Sequence, residues 1–173
     1  MARSNPEYFG FLMERYNEKL TFFIRRISFF QKEDIEDILQ EVFIKVYKNL
    51  NEYDDSLKFS SWIYRITRNQ TIDNIRKKSR HNQNLSLEEH DFEKFLKSSV
   101  NLEKKYAEKE TMEKTREAIM TLPLKYREVM VLKFLEEKNY DEMIDILKKP
   151  KGTIATLISR GKTLLQENLT NLY

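Results

Sequence analysis

Apolar residues recur at the spacing of an amphipathic helix in a long stretch near the N-terminus. The positions are Ile35, Ile38, Leu39, Val42, Phe43, Val46, Tyr47 and Leu50. Steps of three and four residues place all of them on one side of an α-helix, so the pattern predicts a four-turn helix with one buried face. A similar apolar side from Phe9 to Phe23 predicts a preceding helix, which begins at Pro6 after the cap residue Asn5 and ends near Ser28.

A third helix is predicted within Lys58 to Arg80, and its two sides differ in chemistry. One side has the spacing of a buried stripe and carries Phe59, Trp62, Ile63 and Ile66. The other side aligns guanidinium groups along the axis and carries Ser61, Arg65, Arg68, Asn69, Ile72 and Arg76. This second face meets either something negatively charged or only water, and the cations of its last turn also complement the negative end of the helix dipole.

The second half of the chain begins after a polar break. Between residues 81 and 102 the periodicity fades into a polar segment, which is typical of a linker. We therefore expect an all-α protein of two small helical domains, residues 1–82 and 103–173, joined by a flexible linker at 83–102. The second domain should hold a charged helix from about Glu103 to Met120 and a helix whose first turn contains Pro123.

The C-terminal segment has the pattern of a helix-turn-helix. Asn139 and Glu142 fit a capping box for a short helix over Tyr140 to Leu147, KKPKG forms a turn, and a longer helix begins near Thr153. Its inward positions are Ile154, Leu157, Ile158, Gly161, Leu164 and Leu165. Its outward positions are Lys151, Thr153, Ala155, Thr156, Ser159, Arg160 and Lys162. Small polar groups and cations near the start of a helix are typical of one that enters the major groove, and an ordinary helical hairpin is the alternative interpretation.

Composition narrows the possible functions. The chain has 173 residues with three glycines and three prolines, which favours helices throughout. It has no cysteine, which excludes disulfides, thiolate metal sites and a cysteine nucleophile. The glycines are isolated, so there is no glycine-rich phosphate loop, and His81 and His90 lack the spacing of a helical metal pair. We expect no catalysis, no metal and no cofactor.

Charge is unevenly distributed along the chain. The net charge is only +3, but residues 31–37 carry four acids against one lysine, whereas residues 76–81 carry four cations and no acid. Surfaces of opposite sign suggest more than one charged partner. No apolar run approaches the length of a membrane span, and the N-terminus lacks the apolar core of a signal peptide, so we expect a cytoplasmic protein without membrane insertion.

Four segments, taken in order, resemble a bacterial sigma-70-family RNA polymerase sigma factor of the extracytoplasmic-function (ECF) type. EDIEDILQEVFIKVYKNL and FSSWIYRITRNQTIDNIRKK are similar to sigma region 2. LPLKYREVMVLKFLEEKNYDEMIDIL and KGTIATLISRGKTLL are similar to region 4. The resemblance implies a factor that binds core RNA polymerase and directs promoter recognition, DNA opening and transcription initiation.

The resemblance also implies a role for each surface. Contact with the β′ clamp helices of the polymerase maps to Asp37, Gln40, Glu41 and Phe43. Reading of the promoter minus-ten element maps to Lys58, Tyr64, Arg65, Arg68, Asn69, Arg76, Lys77 and Arg80, with a flipped base held between the turn at 54–58 and Asn69. Tyr64 either stacks on a base or covers surface. The β flap and an anti-sigma factor are further implied partners.

Binding of the minus-thirty-five element maps to Lys151, Thr153, Ala155, Thr156, Ser159 and Arg160. Three positions depart from the family pattern: Lys148 replaces a glycine in the turn, Ile144 replaces a small residue, and Leu157 replaces a basic residue. These departures predict a distorted turn and weaker phosphate anchoring, which Lys148, Lys149 and Lys151 could offset.

Two other hypotheses fit the same sequence. A stand-alone helix-turn-helix regulator with an N-terminal interaction domain would bind its DNA sequence tightly without polymerase. A polar helical scaffold would make no DNA contact, so charge reversal at Arg65, Arg68 and Arg76 would leave transcription unchanged.

Overall fold

The N-terminal half consists of three helices. The computed structural model describes residues 6–81 and 115–170. Helices α1 (Pro6–Ile27), α2 (Lys32–Asn49) and α3 (Phe59–His81) confirm the three helices that the sequence predicts, and a short 3-10 turn (Leu50–Glu52) follows α2. The proposed cap Asn5 and the linker at 83–102 lie outside the described residues.

The C-terminal half is also helical throughout its described part. A helical segment at 115–120 precedes α4 (Leu124–Met130), a π-helix (Val131–Leu135), α5 (Tyr140–Leu147) and α6 (Lys151–Thr170). Most of the predicted helix over Glu103 to Met120 lies outside the described residues. All regular elements in the two described ranges are helical, which confirms the all-α class.

The π-helix departs from the regular α-helix that the sequence predicts after Pro123. Glu136 donates its backbone N–H to the carbonyl oxygen of Val131 at 2.9 Å, which is a five-residue closure. The next residue, Glu137, has a φ of 52° and ends the helix in the left-handed region. Periodicity could not predict this widened turn, because it inserts within an apolar run that fits a regular helix equally well.

The predicted capping box at the start of α5 is confirmed. Asn139 accepts a hydrogen bond from the Glu142 backbone N–H at 2.9 Å, and Glu142 accepts one from the Asn139 backbone N–H at 3.0 Å. The turn between α5 and α6 is set by Lys148, which has left-handed backbone angles. The helix-turn-helix geometry is therefore present although a lysine replaces the usual glycine.

The buried apolar residues of both halves form one continuous cluster. In the first half it contains Phe23 and Ile24 of α1, the predicted stripe of α2 except Tyr47, which is 56% exposed, and Trp62 and Ile63 of α3. In the second half it contains residues of all three helices, among them Met130, Met143, Ile146, Ile154 and Ile158. Full burial of one such side chain stabilises the folded state by about 1.5–3 kcal/mol. The two halves therefore pack on each other, and α3 lies against α5.

The second face of α3 is accordingly not a simple solvated surface. Ser61 is only 1% exposed and Ile72 only 8% exposed. Arg68, on the same face, forms an ion pair with Glu128 of α4. At Arg68 the negatively charged group is thus supplied by the chain itself, whereas Asn69 and Arg76 of the same face are exposed to solvent.

Candidate nucleic-acid and protein interfaces

The outer side of α2 presents a polar, mostly acidic surface. Asp37, Gln40 and Glu41 are exposed there, at the three- and four-residue spacing that places them side by side. Phe43, which the resemblance assigns to the same surface, is only 6% exposed and packs in the core. It lines a groove between α1 and α2 together with Gln40.

Glu41 is tied to the neighbouring helix α3. The side-chain N–H of Gln70 donates to the Glu41 carboxylate, and the Gln70 carbonyl oxygen accepts from the Lys45 ammonium group. Gln70 is 3% exposed, so this amide is held firmly between the two side chains. The arrangement fixes the orientation of Glu41 relative to α3, and periodicity gave no signal for it.

The last turns of α3 form an exposed basic cluster. Arg76, Lys77 and Arg80 line a cavity of about 260 Å³ together with Lys45 of α2. Arg76 also lies 3.8 Å from Asp73, a long and solvent-exposed ion pair that contributes little. Three predicted nucleic-acid contacts and one further cation therefore share a single open site that suits phosphate groups.

Lys78 of the same helix is engaged within the protein. Its ammonium group lies 2.6 Å from the Asp34 carboxylate and 4.7 Å from the centre of the Phe30 ring. Asp34 belongs to the acidic stretch at 31–37. One acid of that stretch is thus used to join α2 to α3, so the acidic and basic segments are partly complementary to each other.

Arg68 and Tyr64 lie deeper, against the C-terminal half. Arg68 donates from Nε and Nη2 to the two carboxylate oxygens of Glu128, at 2.8 and 3.1 Å. The hydroxyl of Tyr64 donates to Glu136 at 2.7 Å, and its ring packs on Phe23 with 5.0 Å between centroids. Tyr64 is 2% exposed, so in this arrangement it covers apolar surface and presents no face to a base.

Three other predicted minus-ten residues are more accessible. Arg65 is partly buried and Asn69 is exposed. Lys58 is exposed and lies 3.4 Å from Glu142 of α5. Asn69 lies ten residues after Phe59, the first residue of α3, which is about 15 Å along the helix axis. This distance separates Asn69 from the turn at 54–58, so the base pocket between them stays a prediction.

The turn before α3 is ordered by local hydrogen bonds. Asp54 accepts from the Ser56 backbone N–H at 3.0 Å, and the Tyr53 hydroxyl donates to the Leu57 carbonyl oxygen. The hydrogen bonds from Ser56 lower the pKa of Asp54 from its ordinary value. The turn therefore has a defined shape and carries a carboxylate that is ionised at neutral pH.

The outward side of α6 is open to solvent. Ile154 and Ile158 are buried, as the sequence predicts, and Leu157 is partly buried. The six residues predicted to bind the minus-thirty-five element are all exposed: Lys151, Thr153, Ala155, Thr156, Ser159 and Arg160. Lys149 instead lines a groove beside Arg68 and Glu128, so it is directed to the contact between the halves.

Sequence reasoning missed the buried acids of the C-terminal half. It placed nearly all acids on exposed helical faces, yet Glu128 is 3% exposed and the side chain of Glu136 is 8% exposed. A signal for Glu128 was present, because it lies four residues from both Leu124 and Leu132 and so belongs to the apolar stripe. No such signal marks Glu136, whose position depends on the π-helix.

Burial shifts the pKa values of Glu128 and Tyr64, which lie where the two halves of the chain meet. Desolvation raises the pKa of Glu128, and the positive charges of Arg68 and Lys149 act in the opposite direction. Desolvation also raises the pKa of Tyr64, and the negative charge of Glu136 adds to the effect. The tyrosine therefore stays a neutral hydrogen-bond donor, while at Glu128 burial favours the protonated form more than the two cations favour the charged one.

No helix among the described residues is long and apolar enough to cross a membrane. Residues 6–81 and 115–170 also contain no group of three or more His, Cys, Asp or Glu side chains arranged to hold a metal ion.

Two family models match this chain, one in each half. Sigma-70 region 2 matches residues 12–81, and Sigma-70 region 4 matches residues 112–165. The chain is thus a sigma-70-type protein with these two regions. It is 34% identical to the ECF RNA polymerase sigma factor SigW of Bacillus subtilis, over 99% of this chain and 94% of that protein. It is 25% identical to the ECF RNA polymerase sigma-E factor of Escherichia coli K12, over 99% and 92%.

Solved structures share the fold. The structure of CnrH in complex with the cytosolic domain of CnrY matches with a TM-score of 0.68 and 20% identity, over 97% of this chain and 91% of that one. RpoE of Bartonella quintana, solved with the anti-sigma factor NepR, matches with a TM-score of 0.70 and 21% identity, over 95% and 98%. The chain belongs to the ECF family of RNA polymerase sigma factors, which are transcription initiation factors.

Proposed function

We propose that this protein binds core RNA polymerase through α2 and directs it to promoters that α3 and α6 recognise. Its domains are residues 1–82 for polymerase and the minus-ten element and residues 103–173 for the minus-thirty-five element. Promoter DNA, the β′ clamp helices and the β flap are its partners, and it acts in the cytoplasm. The observation that carries this proposal is the match to both sigma regions in the expected order along one chain.

The α2 surface supports the polymerase assignment. Asp37, Gln40 and Glu41 are exposed together on a helix whose opposite side is fully packed, so they can meet a partner without disturbing the core. Carboxylates in this arrangement suit arginine side chains, with which they form short, charge-assisted hydrogen bonds. Phe43 would contribute through the groove beside Gln40 and would mainly stiffen the helix.

The α3 surface supports capture of an opening DNA strand. Separating promoter DNA gives up stacking of about 1.4 kcal/mol per base step, so a factor without ATP must bind the strand as it unpairs. Arg76, Lys77 and Arg80 offer exposed cations for phosphate groups at the end of the helix. Arg65 and Asn69 would follow the strand along α3, and Lys58, Tyr64 and Arg68 would join them once they are released from the C-terminal half.

The α6 surface supports contact with the major groove. Its six outward residues include the cations Lys151 and Arg160 and several short polar side chains, which allow close approach to base edges. With few cations on the helix, we propose that phosphate anchoring is modest there. Salt titration of binding to a minus-thirty-five duplex tests this, because a log-log slope near zero would contradict phosphate-anchored docking.

An anti-sigma factor is a further proposed partner. The solved relatives CnrH and RpoE were each crystallised with another protein, and in the second case the partner is named an anti-sigma factor. An inhibitor of this kind would cover the α2 or α3 surface of the present chain.

Run-off transcription on genomic DNA fragments tests the proposed function. Core polymerase with the protein should give discrete transcripts, and core polymerase alone should give none. The protein alone should bind the same fragments weakly. Tight, sequence-specific binding without polymerase, together with no polymerase-dependent transcript, would instead favour a stand-alone regulator.

A further inference from the structure

Gln70 of α3 lies between two oppositely charged side chains of α2. Its side-chain N–H donates to the Glu41 carboxylate, and its side-chain carbonyl oxygen accepts from the Lys45 ammonium group. A carboxylate can only accept hydrogen bonds and an ammonium group can only donate them, so this orientation of the amide satisfies both neighbours. Gln70 is only 3% exposed, so the packing of α2 against α3 holds its amide in place.

The two α2 side chains have the spacing of a direct ion pair. Glu41 and Lys45 are four residues apart with the acid on the N-terminal side, which is the favoured arrangement for such a pair on a helix. A direct pair would neutralise both charges. Instead, each side chain forms a hydrogen bond with the neutral amide of Gln70, which leaves the charge of each in place.

Lys78 and Asp34 show the opposite case on the same two helices. The Lys78 ammonium group lies 2.6 Å from the Asp34 carboxylate, so this cation of α3 is paired directly with an acid of α2. The basic cavity at the end of α3 is lined instead by the neighbouring cations Arg76, Lys77 and Arg80. A cation that meets an acid directly is thus used within the protein, whereas Lys45 meets an amide.

Lys45 lines the same cavity from the side of α2. The cavity has a volume of about 260 Å³, and Lys45 is exposed to solvent there. Asp73 also lines it, but its pair with Arg76 is long and exposed and so contributes little. An ammonium group has three N–H donors, and the hydrogen bond to Gln70 uses one of them. Lys45 therefore keeps donors for an anion that enters the cavity.

We propose that Lys45 of α2 binds a DNA phosphate group and that Gln70 is the positioning residue that keeps it available. Because Gln70 separates Glu41 from Lys45, one helix presents an acid to polymerase and a cation to the displaced DNA strand. This inference rests on the proposed function, which assigns Glu41 to polymerase and the end of α3 to the strand. It adds α2 to the surface that holds the strand.

The salt dependence of binding to single-stranded DNA tests the phosphate contact. Lys45→Met removes the charge at an exposed position and keeps an unbranched side chain. The full-length variant is titrated against a fluorescein-labelled oligonucleotide of mixed sequence. The log-log slope of its binding constant against salt should become shallower by about 0.7, the value for one phosphate contact on a single strand. Lys48→Met is the matched control, because Lys48 is exposed on the same helix outside the cavity, and its slope should equal that of the parent.

Rescue by a second substitution tests the role of Gln70. Gln70→Leu removes the amide with little change in volume, so Glu41 and Lys45 should pair directly and the slope should again become shallower by about 0.7. Adding Glu41→Gln frees Lys45 and should restore the slope of the parent. A general loss of packing around residue 70 would not be repaired in this way, because Glu41 is exposed. The Lys45→Met test does not depend on the folding of these variants.

Association with core polymerase should show the reciprocal pattern. Gln70→Leu should weaken co-purification with core enzyme, because Lys45 then neutralises Glu41. Adding Lys45→Met to this variant should restore co-purification while the salt slope for DNA stays shallow. The two rescues are therefore opposite: removal of the acid restores DNA binding, and removal of the cation restores polymerase binding.

The outcomes separate this inference from the proposed function. A parent-like slope for Lys45→Met, or no binding of the strand by the parent at low salt, overturns the phosphate contact even if promoter-dependent transcription is normal. A shallow slope of Gln70→Leu that Glu41→Gln does not restore overturns the role of Gln70. If the slopes change as expected but core polymerase with the parent protein gives no promoter-dependent transcript, it is the proposed function that fails.

Discussion

Lys148 donates its backbone N–H to the carbonyl oxygen of Ile144 at 2.8 Å while its own backbone is in the left-handed region. These are two of the three positions at which the sequence departs from the family pattern. The hydrogen bond closes the last turn of α5 in the way that a glycine normally does. The turn into α6 therefore has the backbone geometry of a left-handed helix C-cap, although a lysine occupies the position. The replacement of glycine by lysine instead strains the backbone at Lys148, because its φ is 51°.

Replacing Lys148 by glycine should accordingly stabilise the protein. A residue with a Cβ in the left-handed region costs about 1 kcal/mol relative to glycine, and the long ion pair of Lys148 with Asp145 is too exposed to offset this. We expect Lys148→Gly to raise the free energy of unfolding in urea by about 1 kcal/mol. Lys148→Ala is the control, because alanine keeps a Cβ atom at positive φ and removes only the long side chain. Equal effects of the two changes would contradict the role of strain.

Gly161 marks the closest approach of α6 to α4. A Cβ atom placed on Gly161 would lie 3.1 Å from Cγ and 3.2 Å from Sδ of Met130, closer than ordinary contact. Gly161→Val should therefore lower the free energy of unfolding by about 1–3 kcal/mol through overpacking. At Gly152, near the exposed start of the same helix, nothing lies within 4 Å of such a Cβ. Gly152→Val should be neutral or slightly stabilising, and comparable losses at both sites would show that helix propensity decides the effect.

Arg68 and Glu128 should be strongly coupled in stability. Arg68→Ala leaves the buried Glu128 carboxylate without its main partner, which typically costs about 3–5 kcal/mol for a buried pair. The double variant Arg68→Ala/Glu128→Leu removes both charges and should recover most of that loss. Urea unfolding of the two single variants and the double variant completes a double-mutant cycle. Additive losses would show that the two side chains do not interact across the halves.

Glu142 should make stability depend on acid pH. Partial burial raises its pKa, but the Asn139 backbone N–H and Lys58 outweigh this, so its pKa is lowered from the ordinary 4.5. A lowered pKa means that the stabilisation is present above pH 4.5 and is lost as the pH falls through the lowered value. Glu142→Gln should therefore be less stable than the parent at pH 7 and should converge with it at strongly acid pH. A difference that is constant with pH would indicate that charge plays no part.

Glu128 should make stability depend on pH in the opposite direction from Glu142. Its raised pKa means that protonation favours the folded state, so its charge costs stability above the raised pKa and this cost disappears as the pH falls. The difference in unfolding free energy between Glu128→Gln and the parent should thus move in the parent's favour on acidification. If this difference moved in the other direction, the charge of Arg68 would favour the ionised form of Glu128 by more than burial disfavours it.

Asp37→Arg tests the polymerase surface. Asp37 is exposed on the outer face of α2, so the charge reversal should abolish association with core polymerase and leave the fold intact. Glu33→Arg makes the same change one turn earlier on the same helix, at another exposed position, and should leave association largely unchanged. Co-purification with core enzyme and thermal unfolding measure the two effects. Normal co-purification of Asp37→Arg would count against the assignment.

Much of the local structure could be predicted from the residues alone. The stripe from Ile35 to Leu50 defined α2, and Asn139 with Glu142 defined the start of α5, because periodicity and capping act within a few residues of each other. The exposed side of α6 followed in the same way from Ile154 and Ile158. The family could also be inferred, since its motifs lie in continuous segments.

Other features required contacts between distant residues. The pattern of α3 showed that its arginine face would meet either water or a negative charge, and only packing of the two halves supplied Glu128 as the partner of Arg68. Similarly, Glu136 reaches Tyr64 and Arg26 because a π-helix and a left-handed Glu137 redirect the chain before α5. Sequence patterns determined which side of each helix is apolar, because that depends on helical geometry alone. The tertiary structure decided which charges face one another, because that depends on where helices far apart in the chain come to lie.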